Sequence, residues 1–329
     1  MKRLQALTMT NKNKCFVGFD TSNYTTSIAV ADENGKIIAN LKAPLPVKSG
    51  ERGLRQSDAV FAHVKNLPSL TDELSAFLAD YEPVAVGVSV TPRRAEGSYM
   101  PCFLCGISAA HSFAAGRSIP IIETSHQHGH IMAAAYSSGC SDKLLSQKFL
   151  AFHVSGGTTE ALLVTPNESG TDFDIELVGE TMDINAGQAI DRVGVMMGLS
   201  FPCGRELEAL AREYQGKPYR PKITVREGRC GLSGVENIAA KLYAEKSDKR
   251  EVAAFVFDFI CRTLCEMTSQ ILDKYGRLPV LFAGGVMSNK LMRSEISSRF
   301  EAYFAEPEFS ADNAAGVALL ARLKASEED

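Results

Sequence analysis

The sequence lacks any long hydrophobic run. None of its apolar segments approaches the ~18 residues that a membrane-spanning helix requires. The first 14 residues are partly basic but lack the apolar core of ~7–15 residues found in a secretory signal. We therefore expect neither a membrane protein nor a secreted one.

Cysteine and excess basic charge are also scarce. Eight cysteines in 329 residues are too few for a disulfide scaffold, so we predict a cytoplasmic protein in a reducing environment. The 35 Lys and Arg against 39 Asp and Glu give a formal net charge of −4, so no overall basic field indicates binding to nucleic acid. The remaining composition, 45% hydrophobic and 22% charged, is typical of a globular chain with about two domains.

Two segments of the chain share one strand-turn-strand pattern. Residues 16–41 alternate strand-like runs with small polar turns, including an Asn-Gly hairpin signal, and residues 149–181 repeat that order. Asp20 in the first segment and Ser155 in the second lie 135 positions apart. This spacing of about one domain length indicates two related halves rather than a solenoid, whose repeats are ~20–50 residues.

Helix and buried-strand patterns alternate around these segments. Residues 84–90 form an apolar, β-branched run typical of a buried strand, and a small-residue helix follows Pro101. The spacing of apolar residues predicts a long helix over about 250–275, and Gly276 supplies its end. The fold class is therefore α/β.

A polar stretch at 136–147, rich in Gly and Ser, marks the predicted boundary between the halves. We predict a flexible N-terminus at 1–14, a first subdomain over 15–140 and a second over 141–329. We assign the C-terminal helix, at about 312–325, to the second subdomain, from which it could pack back on the first.

Two glycine-rich turns follow predicted strands. Val154–Gly157 ends one strand in a Ser-Gly-Gly turn, and Gly284-Gly285 joins a buried strand to a helix that begins near Ser288 and Asn289. Backbone N–H groups in such turns can hold a phosphate, and a helix N-terminus adds a favourable dipole. Each segment is also compatible with an ordinary tight turn, so both interpretations stay open.

One face of the helix predicted over 186–197 combines a carboxylate with glycines. The carboxylate is Asp191, and a face without side chains would leave an open groove beside an acceptor for ribose hydroxyls. Glycine in a helix costs ~0.8–1 kcal/mol, so a merely solvated face would more often carry Glu or Lys. The glycines on this face are Gly187, Gly194 and Gly198, with Gly204 as a further position without a side chain downstream.

Two histidines have the spacing of a metal site. His126 and His130 lie four residues apart on a predicted helix, so both imidazoles can reach one ion. Asp312, predicted in the first turn of the last helix, is the candidate third ligand, whereas His128 points elsewhere. No Glu follows His126, so the H-E-x-x-H motif of zinc proteases is absent. A chance histidine pair remains the alternative.

Two further clusters have less specific patterns. Cys102-x-x-Cys105 and Cys261-x3-Cys265 lie on apolar helices, which favours buried thiols over a zinc site. Residues 212–229 hold six Lys and Arg against two Glu, with two Tyr between them. That local charge of +4 suggests contact with an RNA backbone, although a solvated loop is slightly favoured.

Taken together, these motifs resemble the tRNA threonylcarbamoyladenosine transferase family, formerly described as O-sialoglycoprotein endopeptidases. The resemblance covers about residues 15–325 in order and includes GFDTS, GLRQSDAVFAH (which ends at His63), SHQHGH, VSGG and SADNAA. It implies the actin-like ATPase fold, with two duplicated subdomains and a central cleft.

The resemblance also implies a role for each matching position. His126, His130 and Asp312 match ligands of one divalent metal ion, iron or zinc. The positions that match adenylate-binding residues are Val154, Ser155, Gly156, Gly157, Asp191, Gly204 and Asn289. The implied reaction is a metal-dependent transfer of threonylcarbamoyl from threonylcarbamoyl-AMP to N6 of the adenosine next to the tRNA anticodon. No residue stands out as a general base.

Partners follow from the same resemblance: tRNA, an adenine nucleotide, a paralogous protein subunit and a small ATPase. The chain departs from the family pattern at three places. Residues 23–25 (Asn-Tyr-Thr) replace a Cys and two acidic residues in the opening hairpin. Arg93 and Arg94 stand in place of a Gly-Pro-Gly turn, and Thr158 replaces a His.

These departures leave two alternative functions open. One is a nucleotide-binding regulatory paralogue, which would bind AMP yet leave tRNA unmodified. The other is a carbamoyltransferase for a small molecule, with Arg93 and Arg94 binding an acidic acceptor. A peptidase is disfavoured because no nucleophile-base pair is recognisable.

Overall fold

The computed structural model describes residues 12–46 and 54–326, so most of the predicted flexible N-terminus lies outside the described residues. The chain divides into two units. The first unit comprises Met1–Ala133 and Asp312–Asp329, and the second comprises Ala134–Ala311.

The first unit contains a five-stranded sheet. Its strands are β1 (Asn13–Thr21), β2 (Thr25–Asp32), β3 (Ile37–Pro44), β4 (Tyr81–Thr91) and β5 (Ile121–Ser125). Their order across the sheet is β3-β2-β1-β4-β5, with β2 antiparallel to both neighbours and β1, β4 and β5 parallel. The predicted Asn-Gly hairpin joins β2 to β3, where Gly35 adopts φ +79°.

The second unit repeats this topology. Its strands are β6 (Phe149–Val154), β7 (Thr159–Pro166), β8 (Phe173–Thr181), β9 (Thr224–Arg226), β10 (Arg229–Gly231), β11 (Val280–Ala283) and β12 (Ala302–Phe304). The sheet order is β12-β11-β6-β7-β8-β10-β9. Five of these strands, β8-β7-β6-β11-β12, match β3-β2-β1-β4-β5 in order and direction. The duplication predicted from the two strand-turn-strand segments is therefore present in the fold.

Eleven α-helices accompany the sheets in the described residues. They are α1 (Gln56–Phe77), α2 (Phe103–Arg117), α3 (His126–Ser137), α4 (Ser141–Leu145), α5 (Ala186–Met196), α6 (Gly204–Glu213), α7 (Gly234–Lys246), α8 (Lys249–Tyr275), α9 (Lys290–Ser297), α10 (Pro307–Ser310) and α11 (Ala315–Ala325). None of the helices in these ranges combines the length and apolar character needed to cross a bilayer.

Helix α8 shows how the apolar pattern builds the core of the second unit. All six residues of its predicted stripe are buried: Ala253, Phe257, Ile260, Leu264, Met267 and Ile271. The helix ends before Gly276, whose φ of +90° is readily adopted only by glycine. The predicted helix and its end are confirmed.

Helix α11 packs directly on the sheet of the first unit. A Cβ added to Gly18 of β1 would lie 2.5 Å from Ala318 N, and one added to Gly87 of β4 would lie 2.5 Å from Val317 O. These two glycines therefore allow the helix backbone to lie against the strands. This seating fixes the position of the loop just before α11, which carries Asp312.

Candidate metal site and nucleotide-binding residues

Polar side chains collect where the three parallel strands of the first unit end. Asp20 lies near the end of β1, Ser89 near the end of β4, and β5 runs directly into α3 at His126. The carboxyl ends of adjacent parallel strands meet at one edge of a sheet, which is a common place for ligands in α/β proteins. The fold therefore gathers groups that are up to 106 residues apart in the chain.

The structure brings His126, His130 and Asp312 together at this edge. The Nε2 atoms of the two histidines are 2.9 Å apart. Asp312 Oδ1 lies 3.1 Å from His130 Nε2 and 3.5 Å from His126 Nε2. Among the described residues these three form the group of His, Cys, Asp and Glu side chains that could hold a metal ion, with ligand atoms within 4.8 Å of one another.

The position of Asp312 differs from the prediction. Helix α11 begins at Ala315, so Asp312 lies in the preceding loop rather than in the first helical turn. Asn313 accepts a hydrogen bond from Ala315 N (3.0 Å) at the start of the helix. Asp312 is thus outside the helix, and its carboxylate faces the two histidines.

A close helix contact sets the distance between Asp312 and the histidines. Gly129 of α3 lies against Gly316 of α11, where an added Cβ would be only 1.8 Å from Gly129 O. The two backbones can approach this closely only because Gly316 has no side chain. Since His130 is adjacent to Gly129, this contact holds the histidine pair near the loop of Asp312.

A second carboxylate orients the first histidine. Asp20 is fully buried, and its Oδ2 lies 2.8 Å from His126 Nδ1 and accepts a hydrogen bond from Ser89 Oγ (2.6 Å). Metal-binding histidines usually donate their other ring N–H to such a carboxylate, which fixes the tautomer and the ring orientation. Ser22 completes the arrangement, donating from its backbone N to Asp20 Oδ1 (3.0 Å) and from Oγ to Asp312 Oδ2 (2.9 Å).

The electrostatics of this cluster favour a cation. Burial alone would raise the pKa of Asp20, but the adjacent His126 lowers it. Burial alone would lower the pKa of His126, but Asp20 and Asp312 raise it to about 10. Burial would also raise the pKa of Asp312, yet its hydrogen bonds to His126 and His130 hold it well below the usual range. Two carboxylates therefore stay ionised and attract positive charge to the imidazoles.

Two other histidines in this region have structural roles. His63 of α1 is fully buried, with its ring nitrogens 2.8 Å from Thr26 Oγ1 and 2.8 Å from Ser22 O. Burial lowers the pKa of His63, so this histidine is neutral and supports the Ser22 turn. His128 is also buried, and its Nδ1 lies 2.6 Å from Ser125 Oγ, at the start of α3. As predicted, His128 is not among the three described residues that could hold a metal ion.

Sequence reasoning did not assign roles to Asp20, Ser22 or Ser89. The available signal was a polar residue, Asp20, near the end of an otherwise apolar strand. Its partner His126 directly follows β5. Because β5 is neither next to β1 in the chain nor adjacent to it in the sheet, this contact could be found only after the strand order was known.

In the second unit, the Ser-Gly-Gly turn joins β6 to β7. Ser155 Oγ accepts hydrogen bonds from the N–H groups of Gly157 (3.2 Å) and Thr158 (3.1 Å). Nothing lies within 4 Å of a Cβ added to Gly156 or Gly157. The outer side of this turn is therefore open to a ligand, while Val154 is fully buried beneath it.

The predicted open groove along α5 is not formed by its glycines. A Cβ on Gly187 would lie 2.7 Å from Gly156 Cα, and one on Gly194 would lie 2.3 Å from Cys203 Cβ. These glycines permit close packing of α5 against the Ser-Gly-Gly turn and against the residue before α6. The prediction of a glycine-walled groove was wrong because a missing side chain was taken to leave space for a ligand.

Asp191 nevertheless lines a cavity of about 540 Å³ on the second unit. The other lining residues are Gln188, Arg192, Val195, Met196, Phe201 and Glu236. Asp191 Oδ1 accepts a hydrogen bond from Cys203 N (2.8 Å), which orients the carboxylate. Gly204, the first residue of α6, has nothing within 4 Å of an added Cβ.

The second glycine turn lies directly against the first. Gly284 adopts φ +100°, and a Cβ there would be 2.2 Å from Val154 O. Gly285–Ser288 forms a 3-10 turn, so the helix predicted near Ser288 begins only at Lys290, with Asn289 as its cap. Asn289 Oδ1 accepts from Met292 N (2.9 Å), whereas its buried Nδ2 has no partner in the described residues. A buried donor without a partner is unusual, because such groups normally form a hydrogen bond.

The departures from the family pattern lie in the first unit. Asn23 Oδ1 accepts a hydrogen bond from Gln56 Nε2 (2.8 Å), which connects the altered hairpin to α1. The Arg93-Arg94 loop follows β4 at the sheet edge that also carries His126. Arg94 Nη2 lies 3.5 Å from Thr124 Oγ1, two residues before that histidine.

The eight cysteines are free, and seven of them are buried. Burial raises the pKa of the Cys102 and Cys230 thiols to about 11. We expect about one thiol, that of the half-buried Cys140, to react rapidly with a disulfide reagent in the native protein at pH 8, because reaction requires an accessible thiolate. Thiol titration with and without denaturant checks this, and rapid reaction of several native thiols would contradict it.

Solved structures with the same fold support the α/β assignment. Full-length HypF in its phosphate- and nucleotide-bound form aligns with a TM-score of 0.57 at 13% identity, over 96% of this chain and 56% of that chain. A ROK family transcriptional regulator aligns with a TM-score of 0.52 at 12% identity, over 96% of this chain and 81% of that chain. The predicted α/β fold of the actin-like ATPase class is confirmed.

Sequence comparison identifies the family within this class. Residues 48–319 match the profile of TsaD, tRNA N6-adenosine threonylcarbamoyltransferase. Proteins of that name from Streptococcus pneumoniae (strain Taiwan19F-14) and Streptococcus sanguinis (strain SK36) are each 31% identical to this chain, over 87% and 88% of its length and 84% and 85% of theirs. The chain belongs to the tRNA N6-adenosine threonylcarbamoyltransferase family, which confirms the predicted family and transferase class.

Proposed function

We propose that this protein transfers a threonylcarbamoyl group from threonylcarbamoyl-AMP to N6 of the adenosine next to the tRNA anticodon, with one divalent metal ion at His126, His130 and Asp312. The observation that carries this proposal is the convergence of these three side chains in a chain of this family. The eight free thiols support a cytoplasmic location for the reaction.

The donor set fits a metal ion. Ligands about 2.1 Å from an ion, at angles near 90–109° to one another, are separated by about 3.0–3.4 Å. The three distances between the donor atoms, 2.9, 3.1 and 3.5 Å, are close to these values. Two imidazoles and one carboxylate suit zinc or ferrous iron and leave coordination positions for a substrate.

A bound metal ion would supply Lewis-acid polarisation of oxygens of the threonylcarbamoyl group. The chain itself positions the ligands. Asp20 holds His126 Nδ1, so that Nε2 faces Asp312. Ser22 holds Asp312 Oδ2 and thereby leaves Oδ1 toward the histidines.

The second unit would hold the AMP portion. The open side of the Ser155–Thr158 turn would leave space for a phosphate, and the unpartnered Nδ2 of Asn289 would supply a donor for a phosphate oxygen. Asp191 supplies an acceptor for ribose hydroxyls within the cavity that it lines. These groups would bind and orient the mixed anhydride.

The proposed transfer is direct and needs no covalent intermediate with the enzyme. The N6 amine of adenosine attacks the carbamoyl carbon, a C–N bond forms, and the C–O bond to the AMP phosphate breaks. AMP leaves with the bonding electron pair, and the N6 proton passes to a base that we do not assign. The role of the chain is therefore binding and orientation.

Asp20→Asn should weaken metal binding by about 10–100-fold. The neutral amide lacks the negative charge with which Asp20 holds the His126 Nδ1–H. The measurement is a competition titration with a chelating indicator. Asp174→Asn, at an exposed carboxylate of β8, is the control. An unchanged metal affinity for Asp20→Asn would show that Asp20 does not support the site.

Asp191→Asn should raise the dissociation constant for AMP by about 10–100-fold, since a hydrogen bond to a charged group contributes about 1.5–3 kcal/mol. The amide oxygen can still accept from Cys203 N, so the local fold persists. Isothermal titration with AMP measures the effect, and Asp273→Asn on the exposed side of α8 is the control. Equal affinities in both variants would remove Asp191 from the adenylate site.

The decisive test is mass spectrometry of tRNA nucleosides. The protein is incubated with tRNA, threonine, bicarbonate, ATP and a cell extract that supplies the implied paralogous subunit and small ATPase. We expect threonylcarbamoyladenosine to form only when this chain is present. AMP binding without tRNA modification would favour the regulatory paralogue, and modification of a small acidic acceptor instead would favour the carbamoyltransferase with a small-molecule acceptor.

A further inference from the structure

One exposed edge of the second unit carries a concentration of positive charge. It includes the loop before β9, the edge strand β9 itself and the adjacent β10. We call it the basic edge and define it by its exposed cations: Lys217, Arg220, Lys222, Arg226 and Arg229. This is notable in a chain whose net charge is −4.

Within residues 12–46 and 54–326, four of the five cations lack a carboxylate partner. Among these five cations only Arg229 forms an ion pair with a described residue, at 3.8 Å from Glu180, and both side chains of that pair are exposed. An exposed pair at that distance contributes little. Ion pairs among the described residues therefore leave most of the charge of the basic edge uncompensated.

The loop that carries these cations is fixed by its neighbours. Tyr219 N donates to Asp258 Oδ2 (2.6 Å), and Tyr219 Oη donates to Glu251 Oε1 (2.5 Å). The Tyr219 ring stacks on Tyr214 (6.3 Å between centroids) and packs edge-on against Phe255 (5.4 Å). These contacts fix the loop, so its positive charges lie on an ordered surface. Its two tyrosine rings pack against protein groups and are not free to stack on RNA bases.

Protection of the sheet edge explains only part of this charge. Positive side chains on an edge strand prevent pairing with other chains, and Arg226 on β9 can serve this purpose. Lys217, Arg220 and Lys222 precede the strand, where there is no edge to protect. Their exposed, unpaired charges need another explanation.

We propose that the basic edge binds the phosphate backbone of RNA without reading its sequence. Exposed unpaired Lys and Arg bind polyphosphate by releasing its counterions, whereas base recognition needs free aromatic rings or amide groups. The basic edge has the cations and lacks free aromatic rings. The identity of the RNA as a tRNA rests on the proposed function. The basic edge would hold this tRNA during modification.

The test is tRNA binding by the full chain, measured by fluorescence anisotropy between 50 and 300 mM KCl. The variant is Lys217→Ala/Arg220→Ala/Lys222→Ala. At about 100 mM salt, we expect its affinity to fall at least about tenfold, and the slope of log K against log salt to decrease by about 2–3, at 0.7–0.9 per lost phosphate contact. Polyuridylate should lose affinity to the same extent as tRNA.

A matched triple variant, Lys36→Ala/Lys65→Ala/Lys241→Ala, removes the same net charge from exposed positions elsewhere. Thermal melting checks that both variants fold. If the two variants lose tRNA affinity equally, the basic edge is not an RNA surface. A loss for tRNA alone, with polyuridylate unaffected, contradicts backbone recognition, and binding of wild type to phosphatidylserine vesicles but not to tRNA would point to a membrane surface.

Failure of this inference is separable from failure of the proposed function. If the basic-edge variant forms threonylcarbamoyladenosine normally and its tRNA affinity is unchanged, the proposed transfer reaction stands and the basic edge is not an RNA-binding surface. If the wild-type protein binds tRNA through the basic edge but forms no threonylcarbamoyladenosine, the basic edge is an RNA-binding surface and the proposed transfer reaction is wrong.

Discussion

Replacing His126 and His130 together with alanine should reduce threonylcarbamoyl transfer by more than about 100-fold, beyond the 10–100-fold typical of losing an outer-shell partner. The reason is that the two Nε2 atoms supply two of the three converging ligand atoms. AMP affinity should not change, because the candidate adenylate residues all lie in the second unit. The assay is nucleoside mass spectrometry beside isothermal titration with AMP.

The control for this double variant is His111→Ala, an exposed histidine on α2. It should leave both transfer and AMP affinity at the wild-type level. Normal turnover by the double variant, at wild-type stability, would show that the histidine pair does not take part in the reaction. Loss of AMP binding together with transfer would indicate a general folding defect instead.

Gly316→Ala should destabilise the protein by about 3 kcal/mol, at the upper end of the usual range for overpacking. Its Cβ would lie 1.8 Å from Gly129 O, and this contact is with backbone that cannot rotate away. The helices must separate, which moves Asp312 away from the histidines, so metal affinity should fall as well. Urea denaturation and a metal titration measure the two effects.

Gly116→Ala is the matched control for the glycine variant. Gly116 also lies in a helix, α2, but nothing lies within 4 Å of its added Cβ. Alanine there should be neutral or stabilise by up to about 1 kcal/mol through its helix propensity. If Gly316→Ala is as stable as Gly116→Ala and retains metal, then the close contact of α3 and α11 does not position the site.

Local patterns were sufficient to predict much of the fold. The stripe along α8, the hairpin between β2 and β3, and the repeated strand-turn-strand unit each depend on residues close in the chain. Hydrophobic periodicity and turn residues report on such short segments directly. The i, i+4 spacing of His126 and His130 is likewise a local property of one helix.

The supporting shell of the candidate metal site was not predictable in the same way. Asp20 contacts His126 across 106 positions, and Ser22 contacts Asp312 across 290. These contacts depend on the order of strands in the sheet and on the seating of α11, which no local pattern specifies. Apart from its place in the GFDTS motif, the sign of Asp20 in the sequence was a polar residue at the end of an apolar strand.

Glycines were the main source of error. From the sequence, Gly187 and Gly194 were interpreted as open space beside Asp191, whereas both permit close packing of α5. A missing side chain leaves room either for a ligand or for neighbouring protein, and composition does not distinguish the two. Gly156 and Gly157, by contrast, do face open space, as a phosphate-binding turn requires.

Metal content is the most direct measurement of the central claim, which is that two imidazoles and one remote carboxylate form a single ion site. The protein is equilibrated with zinc or ferrous iron, passed through a desalting column and analysed by mass spectrometry of the elements. The account predicts about one ion per chain for wild type and less than about a tenth for Asp312→Ala, since one of three ligands is lost. Equal ion content in both proteins would contradict it.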